Sequence, residues 1–236
     1  MRRFFIDPAG ISGSTGIISG PEARHISLVL RLGTGQRVEL FDGKGNIYQA
    51  IIQGVNKDKI SVKIIAKKIF IDNGPQIYLG QALLKGKKMD LLIQKATELG
   101  IHAIHPFVSC YCAKRSSVSR NKRWDKISLE ACKQCGRPLP PDCRPVQEFS
   151  KIISNASNCS EKIIFWEKET KNRLTPQIAK HESIFFLVGP EGGFSSEEID
   201  EARNHGFQTV TLGPRTLRAE TAALCAMSII QFLTGI

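Results

Sequence analysis

Leu187–Val188–Gly189–Pro190–Glu191–Gly192–Gly193–Phe194–Ser195 follows the apolar run Ile184–Phe185–Phe186 and leads into Ser195–Ser196–Glu197–Glu198. An apolar run that stops at glycine reads as a buried strand, and a serine three residues before a glutamate reads as a helix start. The chain ends on a second unit of the same build. Thr209–Val210–Thr211–Leu212–Gly213 is followed by Pro214–Arg215–Thr216–Leu217–Arg218–Ala219–Glu220–Thr221–Ala222 and then an apolar helix. Two strands that each end in a Gly-Pro loop predict a ligand site at the carboxyl edge of a parallel sheet.

Upstream of these units, strand and helix signals alternate. Ile77–Tyr78–Leu79–Gly80–Gln81–Ala82 reads as a buried strand, and Met89, Leu92, Ile93, Ala96 and Leu99 then share one helical face that stops at Gly100. Residues 101–107 give another strand. Trp124, Ile127, Ala131 and Cys135 repeat at helical spacing, and Gly136–Arg137–Pro138 ends that helix. Ile163–Ile164–Phe165–Trp166 is the strand before the two Gly-Pro units. The alternation predicts a mostly parallel α/β domain over residues 73–236.

Before Asp72–Asn73–Gly74–Pro75 the pattern is one of short strands and turns. Gln36–Arg37–Val38–Glu39–Leu40–Phe41 reaches Asp42–Gly43–Lys44–Gly45, and Ile47–Tyr48–Gln49–Ala50–Ile51–Ile52 and Lys59–Ile60–Ser61–Val62–Lys63–Ile64–Ile65 follow. Alternation with Asp-Gly punctuation predicts antiparallel hairpins and a small β-barrel over residues 1–72. Pro21–Glu22–Ala23 opens a short helix over residues 25–30. The opening Met1–Arg2–Arg3–Phe4–Phe5–Ile6–Asp7–Pro8 has no long apolar core and no small-residue cleavage site, so it reads as a first strand and not a signal peptide.

With 236 residues, 42% apolar and 23% charged, the chain has the composition of a soluble globular protein of one large or two modest domains. No apolar run approaches the ~20 residues of a membrane span. The net charge of +11 is uneven. Residues 1–72 carry eleven Lys/Arg against six Asp/Glu, residues 73–160 fourteen against six, and residues 161–236 eight against ten. A basic surface beside a near-neutral pocket suits a polyanion partner and a separate small ligand. Seven cysteines without an export signal favour reduced thiols and a cytoplasmic setting. Cys110, Cys112, Cys132, Cys135 and Cys143 assemble into a zinc site only on paper. Cys132 and Cys135 fall inside a helical pattern, so packed thiols are the preferred reading and no metal is expected. His25, His102, His105, His181 and His205 show no metal-ligand spacing either.

For Ser195 to Glu198, a capping box that starts a helix is a sufficient account. Gly189, Gly192 and Gly193 exceed what a turn requires and point to a ligand. The loop lacks the Lys-Ser/Thr ending of a P-loop and the spacing of a dinucleotide fingerprint. Its Glu191 would repel phosphates, so a cationic or neutral adenosine-type ligand fits better. Arg215, Arg218 and Glu220 follow a strand end; an Arg-x-Glu of this kind is in general a surface ion pair, but on a loop beside Gly213 it becomes a candidate for holding an anionic nucleotide. Between Lys114 and Arg144 nine basic residues face three acidic ones, with Ser116, Ser117, Ser119 and Asn121 interspersed. This reads as a phosphate-contacting segment, with an ordinary solvated basic loop as the alternative.

These residues resemble the RsmE family, the small-subunit (16S) ribosomal RNA uridine-N3 methyltransferases of the SPOUT superfamily. The likeness is carried in order by Met1–Arg2–Arg3–Phe4–Phe5 with residues 25–31 and by Leu91–Leu92–Ile93–Gln94–Lys95–Ala96–Thr97–Glu98–Leu99–Gly100. The central segment follows, with Arg115–Ser116, Arg123–Trp124, Glu130–Ala131 and Gln134–Cys135–Gly136–Arg137. Gly189–Pro190–Glu191–Gly192–Gly193–Phe194, and Leu212–Gly213–Pro214–Arg215 with Leu217–Arg218 and Glu220–Thr221–Ala222, complete it. The resemblance implies an N-terminal PUA/OB-like barrel and a C-terminal SPOUT domain with a trefoil knot, which connection rules alone would have excluded. It further implies S-adenosylmethionine in the knot loops, a homodimer, and RNA lying across both subunits. By position the cofactor residues are Leu187, Gly189, Glu191, Gly192, Leu212, Gly213, Leu217 and Arg218. Ala219 stands where the family usually has Thr, so a hydroxyl contact is missing there. The arginines expected on RNA are Arg2, Arg3, Arg31, Arg115, Arg120, Arg123 and Arg137.

Methylation at uracil N3 requires loss of the N3 proton and access to the Watson–Crick edge, so the base must be unpaired or flipped out. Arg218, then Arg215, is expected to stabilise the resulting anion, and Glu220 to take the proton. The alternatives are a SPOUT ribose 2′-O-methyltransferase and an RNA-binding assembly factor without turnover.

Overall fold

A computed structural model describes residues 1–112 and 120–235, the side chains of residues 120 and 121 apart. The chain divides into two compact units, Met1–Asp72 with Leu129–Pro140 and Asn73–Ser128 with Pro141–Ile236.

The first unit holds strands β1 (Arg3–Phe5), β2 (Ile11–Ser12) and β3 (Thr15–Ser19), then helix α1 (Pro21–Arg24), which runs on as a π-type turn over His25–Val29. β4 (Arg37–Phe41), β5 (Asn46–Val55) and β6 (Lys59–Ile69) complete one sheet in the order β1-β4-β5-β6-β3-β2. The hairpins are antiparallel as their alternation predicts, whereas β1 pairs parallel with β4. The β4–β5 turn forms because the Asp42 carboxylate accepts the Lys44 amide at 2.8 Å and the Asn46 amide at 3.1 Å. Two register irregularities bend the β5–β6 pair. Val38, Leu40, Ala50, Ile52, Ile60 and Val62, each at strand spacing, bury on one face. Residues 129–140 pack with this unit: Lys133 Nζ lies 2.7 Å from Glu22 Oε2, and Arg3 donates to the Gly136 carbonyl.

The second unit runs β7 (Gln76–Ala82), α2 (Lys88–Glu98), β8 (Ala103–Val108), α3 (Arg120–Cys135), β9 (Asp142–Cys143), β10 (Gln147–Glu148) and α4 (Phe149–Asn155). β11 (Glu161–Phe165), β12 (Ser183–Val188), α5 (Ser196–Asn204), β13 (Gln208–Val210) and α6 (Ala219–Thr234) follow. The tail of α3, residues 129–135, counts with the first unit. The sheet has the order β10-β8-β7-β12-β11-β13 with β9 also on β8, and every pair is parallel. Both faces are covered, as an all-parallel sheet requires. Ile184, Phe186 and Val188 share one core with Leu92 and Ile93 of α2 and Ala223, Met227 and Ile230 of α6. Phe185 and Leu187 share another with Ile152 and Ile153 of α4 and Ile199 of α5. Among the described residues, no helix is long and apolar enough to cross a membrane.

Gly80 sits where the second core is tightest: a Cβ there would collide with Leu187 Cδ2 and come within 3.0 Å of the Phe185 ring. Gly80→Ala is expected to destabilise the fold by about 1–3 kcal/mol, because buried neighbours in a packed core cannot swing aside. Urea unfolding of both forms measures it, and an unchanged midpoint would show that the core yields.

Candidate active site

The register of three strands sets the site. Phe165 of β11 lies level with Val188 of β12 on one side and with Val210 of β13 on the other. The three loops that leave this row therefore start at one height, and they enclose a cavity of about 200 Å³. Its wall is Trp166 and Glu167 after β11, residues 189–194 after β12, and Thr211, Leu212, Gly213, Arg215, Thr216 and Leu217 after β13. Ala219 and Ala222 of α6 also line it. The glycines are sterically required. A Cβ on Gly192 would stand 2.8 Å from Tyr111 Cβ, and one on Gly193, whose φ is +74°, would stand 2.8 Å from Glu167 Oε1.

Buried polar groups brace the loops from behind. Gln81, fully buried at the end of β7, donates through Nε2 to the carbonyls of Ala82 at 3.0 Å and Gly189 at 3.3 Å. Ser195 and Glu198 form the capping box of α5. Glu198 does more than start the helix: it also accepts from Ser109 Oγ at 3.1 Å and the Cys110 amide at 3.0 Å, which fixes the turn beside Tyr111. Glu169 gathers the amides of Thr170 and Lys171 at 2.9 Å and of Asn172 at 3.2 Å, and accepts from Thr209 Oγ1 at 2.7 Å. The Asn172 carbonyl then takes the Thr211 amide at 2.9 Å. Glu169 thus ties the loop after β11 to the strand end that opens the second glycine loop. The Lys171 amide, the Thr209 hydroxyl and the Asn172 amide hold its carboxyl down to about 2.

The charged groups are unevenly engaged. Lys88 Nζ lies 3.1 Å from Glu220 Oε2 and 3.4 Å from Glu191 Oε1, and Glu191 also accepts the Lys85 amide at 3.2 Å. The Glu220 carboxylate, and after it Glu191, raises the Lys88 pKa above the usual lysine value; the Lys88–Glu220 contact is an ion pair, since buried Glu220 Oε2 has no aligned hydrogen-bond donor among the described residues. Burial pushes the Glu191 and Glu220 carboxyls up, but backbone amides and Lys88 outweigh it, and both end below the usual carboxylate value. Arg215 and Arg218 are exposed on the second loop. Trp166 stacks under the Arg203 guanidinium at 5.4 Å, and its buried Nε1 has no hydrogen-bond partner among the described residues.

Of the residues expected around a ligand, Gly189, Glu191, Gly192, Leu212, Gly213, Leu217 and Arg215 line the cavity. Leu187 does not: its side chain is fully buried in the core shared with α4 and α5, and Val188 faces the cavity instead. Arg218 caps α6 just outside the lining, and the Glu220 carboxylate sits on Lys88. The arginines expected on RNA differ in their surroundings. Arg2 and Arg31 are exposed, with Arg31 at φ +50°. Arg3 is turned inward onto Glu39 at 3.2 Å and over the Phe41 ring. Arg123 pairs with Asp90, Arg137 is half-buried, Arg120 starts α3, and Arg115 lies outside the described residues. Burial drives the Cys132 and Cys143 thiols up to about 12, so both are packed groups and not nucleophiles. Trp166, Glu167, Glu169, Gln81 and Lys88 escaped the sequence reading.

Fold and cleft define an α/β enzyme that binds a small ligand at the carboxyl edge of its sheet. Residues 72–231 match the model of an RNA methyltransferase domain, and residues 18–65 that of an RNA methyltransferase PUA domain. "Ribosomal RNA small subunit methyltransferase E" of Bacillus subtilis is 30% identical over 99% of this chain and 97% of that one. Its namesake in Buchnera aphidicola (subsp. Acyrthosiphon pisum) is 33% identical over 92% and 88%. The Neisseria gonorrhoeae enzyme of that name, solved bound to S-adenosylmethionine, superimposes with a TM-score of 0.81 at 32% identity over 99% and 98% of the two chains. A Legionella pneumophila chain solved with the same cofactor gives 0.83 at 30% identity over 98% and 96%. The chain belongs to the RNA methyltransferases, and among them to the small-subunit ribosomal RNA methyltransferase E family.

Glu169 offers a test of the bracing. A carboxyl held at about 2 in the folded chain, against an unfolded value of about 4.3, stabilises the fold above that unfolded value and loses its effect as pH falls toward 2. Glu169→Gln is expected to melt below the parent at pH 7, with the gap closing between about pH 4 and pH 2. A gap independent of pH would assign the effect to the changed side chain and not to its charge.

Proposed function

We propose that this chain methylates N3 of a uridine in 16S ribosomal RNA, on the assembled small subunit, using S-adenosylmethionine held in the cleft. The observation that carries the reading is the cleft at the row of Phe165, Val188 and Val210, with glycine backbone on one wall and the Trp166 side chain on another. The residues present fit the cofactor. The backbone of residues 189–193 admits close approach, and Glu167 and Glu191 suit a cationic ligand better than a phosphate. Gly189, Glu191, Gly192, Leu212, Gly213 and Leu217 would hold it. When bound, it supplies an electrophilic methyl on a sulfonium centre. The relatives' names support the ribosomal substrate.

The chain's own residues have three tasks. The loops hold the uracil edge in line and exclude water. Arg218, with Arg215 second, stabilises the anion left when N3 loses its proton. The proton itself needs an acceptor; Glu220, the expected one, already has its charge committed to Lys88. Residues 1–72 act as the PUA-like RNA-binding domain and residues 73–236 as the SPOUT domain, knotted in the chain's path. Exposed basic groups such as Arg2 and Arg31 supply phosphate contacts. A cytoplasmic homodimer is the working form. In its support, Phe232 stands 85% exposed on α6, with Ile229 of the same helix also exposed.

Transfer of label from S-adenosylmethionine to unmodified small subunits, followed by nucleoside separation, tests the reaction. Label is expected in 3-methyluridine; label in a 2′-O-methyl nucleoside would overturn the assignment of N3. Arg218→Ala is expected to lower turnover at least tenfold in a folded protein. Near-normal turnover in that variant removes Arg218 from the chemistry.

A further inference from the structure

α2 begins against the usual electrostatic rule. Lys85, Lys87 and Lys88 crowd the end where the helix dipole is positive, the first turn has no side-chain cap, and Asp90 is its sole acidic residue. A cation there is unfavourable unless something outside the helix offsets it. Two carboxylates do. Glu191, in the glycine loop after β12, accepts the Lys85 amide and lies 3.4 Å from Lys88 Nζ. Glu220, in the first turn of α6, lies 3.1 Å from the same nitrogen. One ammonium thus joins the first glycine loop to the first turn of α6, into which the second loop leads directly, although Lys88 is not itself part of the lining. The three side chains are half-buried, and the carboxylates come from segments with no strand pairing to each other. A local rule broken at one residue and offset by groups from the first glycine loop and the head of α6 marks a placement made for the site.

We propose that Lys88 is a positioning residue, which clamps Glu191 and Glu220 together and thereby sets the separation of the two cofactor loops. Glu220 is then part of the clamp and not the acceptor of the uridine proton. Breaking the clamp frees both loops, so cofactor affinity falls, while turnover at saturating cofactor is largely kept. The inference about affinity rests on the S-adenosylmethionine reading of the cleft; the inference about the loops does not.

The test uses the full chain as Lys88→Met, Lys88→Arg, Glu220→Gln and the Lys88→Met/Glu220→Gln double variant. Hydrogen exchange without any ligand comes first. Lys88→Met is expected to speed exchange at the amides of residues 191–193, 213 and 215–218 at least fivefold, leaving the strands unchanged. Unchanged loop exchange overturns the clamp, and general loss of protection would do so as well, by making Lys88 a group the whole fold needs. Calorimetry with S-adenosylmethionine follows. Lys88→Met and Glu220→Gln are each expected to bind at least tenfold more weakly, the double variant no more weakly than either, and Lys88→Arg within about threefold of the parent. If Glu220→Gln binds as the parent but loses turnover a hundredfold, Glu220 is a catalytic base and the proposal fails. If the parent itself binds no S-adenosylmethionine while loop exchange responds as described, the functional reading fails and the clamp stands.

Discussion

The level register of Val188, Phe165 and Val210 is the constraint on which the site depends. Parallel pairing gives each strand its neighbours' direction, so all three chains turn out of the sheet at the same edge. None of the three loops could make a cleft alone. β11, in the middle, contributes Trp166 and Glu167 because it separates β12 from β13 by one strand width. That spacing keeps the two glycine loops apart as walls, and side chains from outside the sheet (Glu169, Glu198 and Lys88) then fix their shape.

Much of this was legible from residue order. Each Gly-Pro loop announces a strand end, the capping box announces α5, and the periodic faces of α2 and α3 announce helices. What stayed hidden has physical causes. α4 spans seven residues, and β9 and β10 two each, too short for any periodicity to declare itself. The parallel pairing of β1 with β4 is non-local, whereas hairpin rules speak only of neighbours. The resemblance assigns Leu187 to the cofactor by position, and a continuous apolar run offers no check, because it does not show which residue faces which side. Only the packed sheet separates Leu187 from Val188. Lys88 is one of three lysines within four residues, and nothing local singles it out.

Charge is used at two scales. The excess of basic residues lies in the first two thirds of the chain, while the cleft is bordered by Glu167 and Glu191. A polyanion is drawn to the former, and the latter disfavours phosphate in the pocket. Arg3 shows why counting arginines overstates such a surface: its guanidinium is spent inside the fold, on Glu39, Phe41 and the Gly136 carbonyl.

The return of residues 129–140 to the first unit bears on how the chain is made. All six strands of the first sheet have left the ribosome once Ile69 emerges, yet Lys133 and Gly136, which hold Glu22 and Arg3, come much later. In between, β7, α2 and β8 of the second unit have already been synthesised. The N-terminal unit therefore cannot finish before its successor has begun, and the usual one-after-another order of vectorial folding gives way to an interleaved one. A gene fragment cut at Asp72 would encode the whole sheet and still leave its unit incomplete.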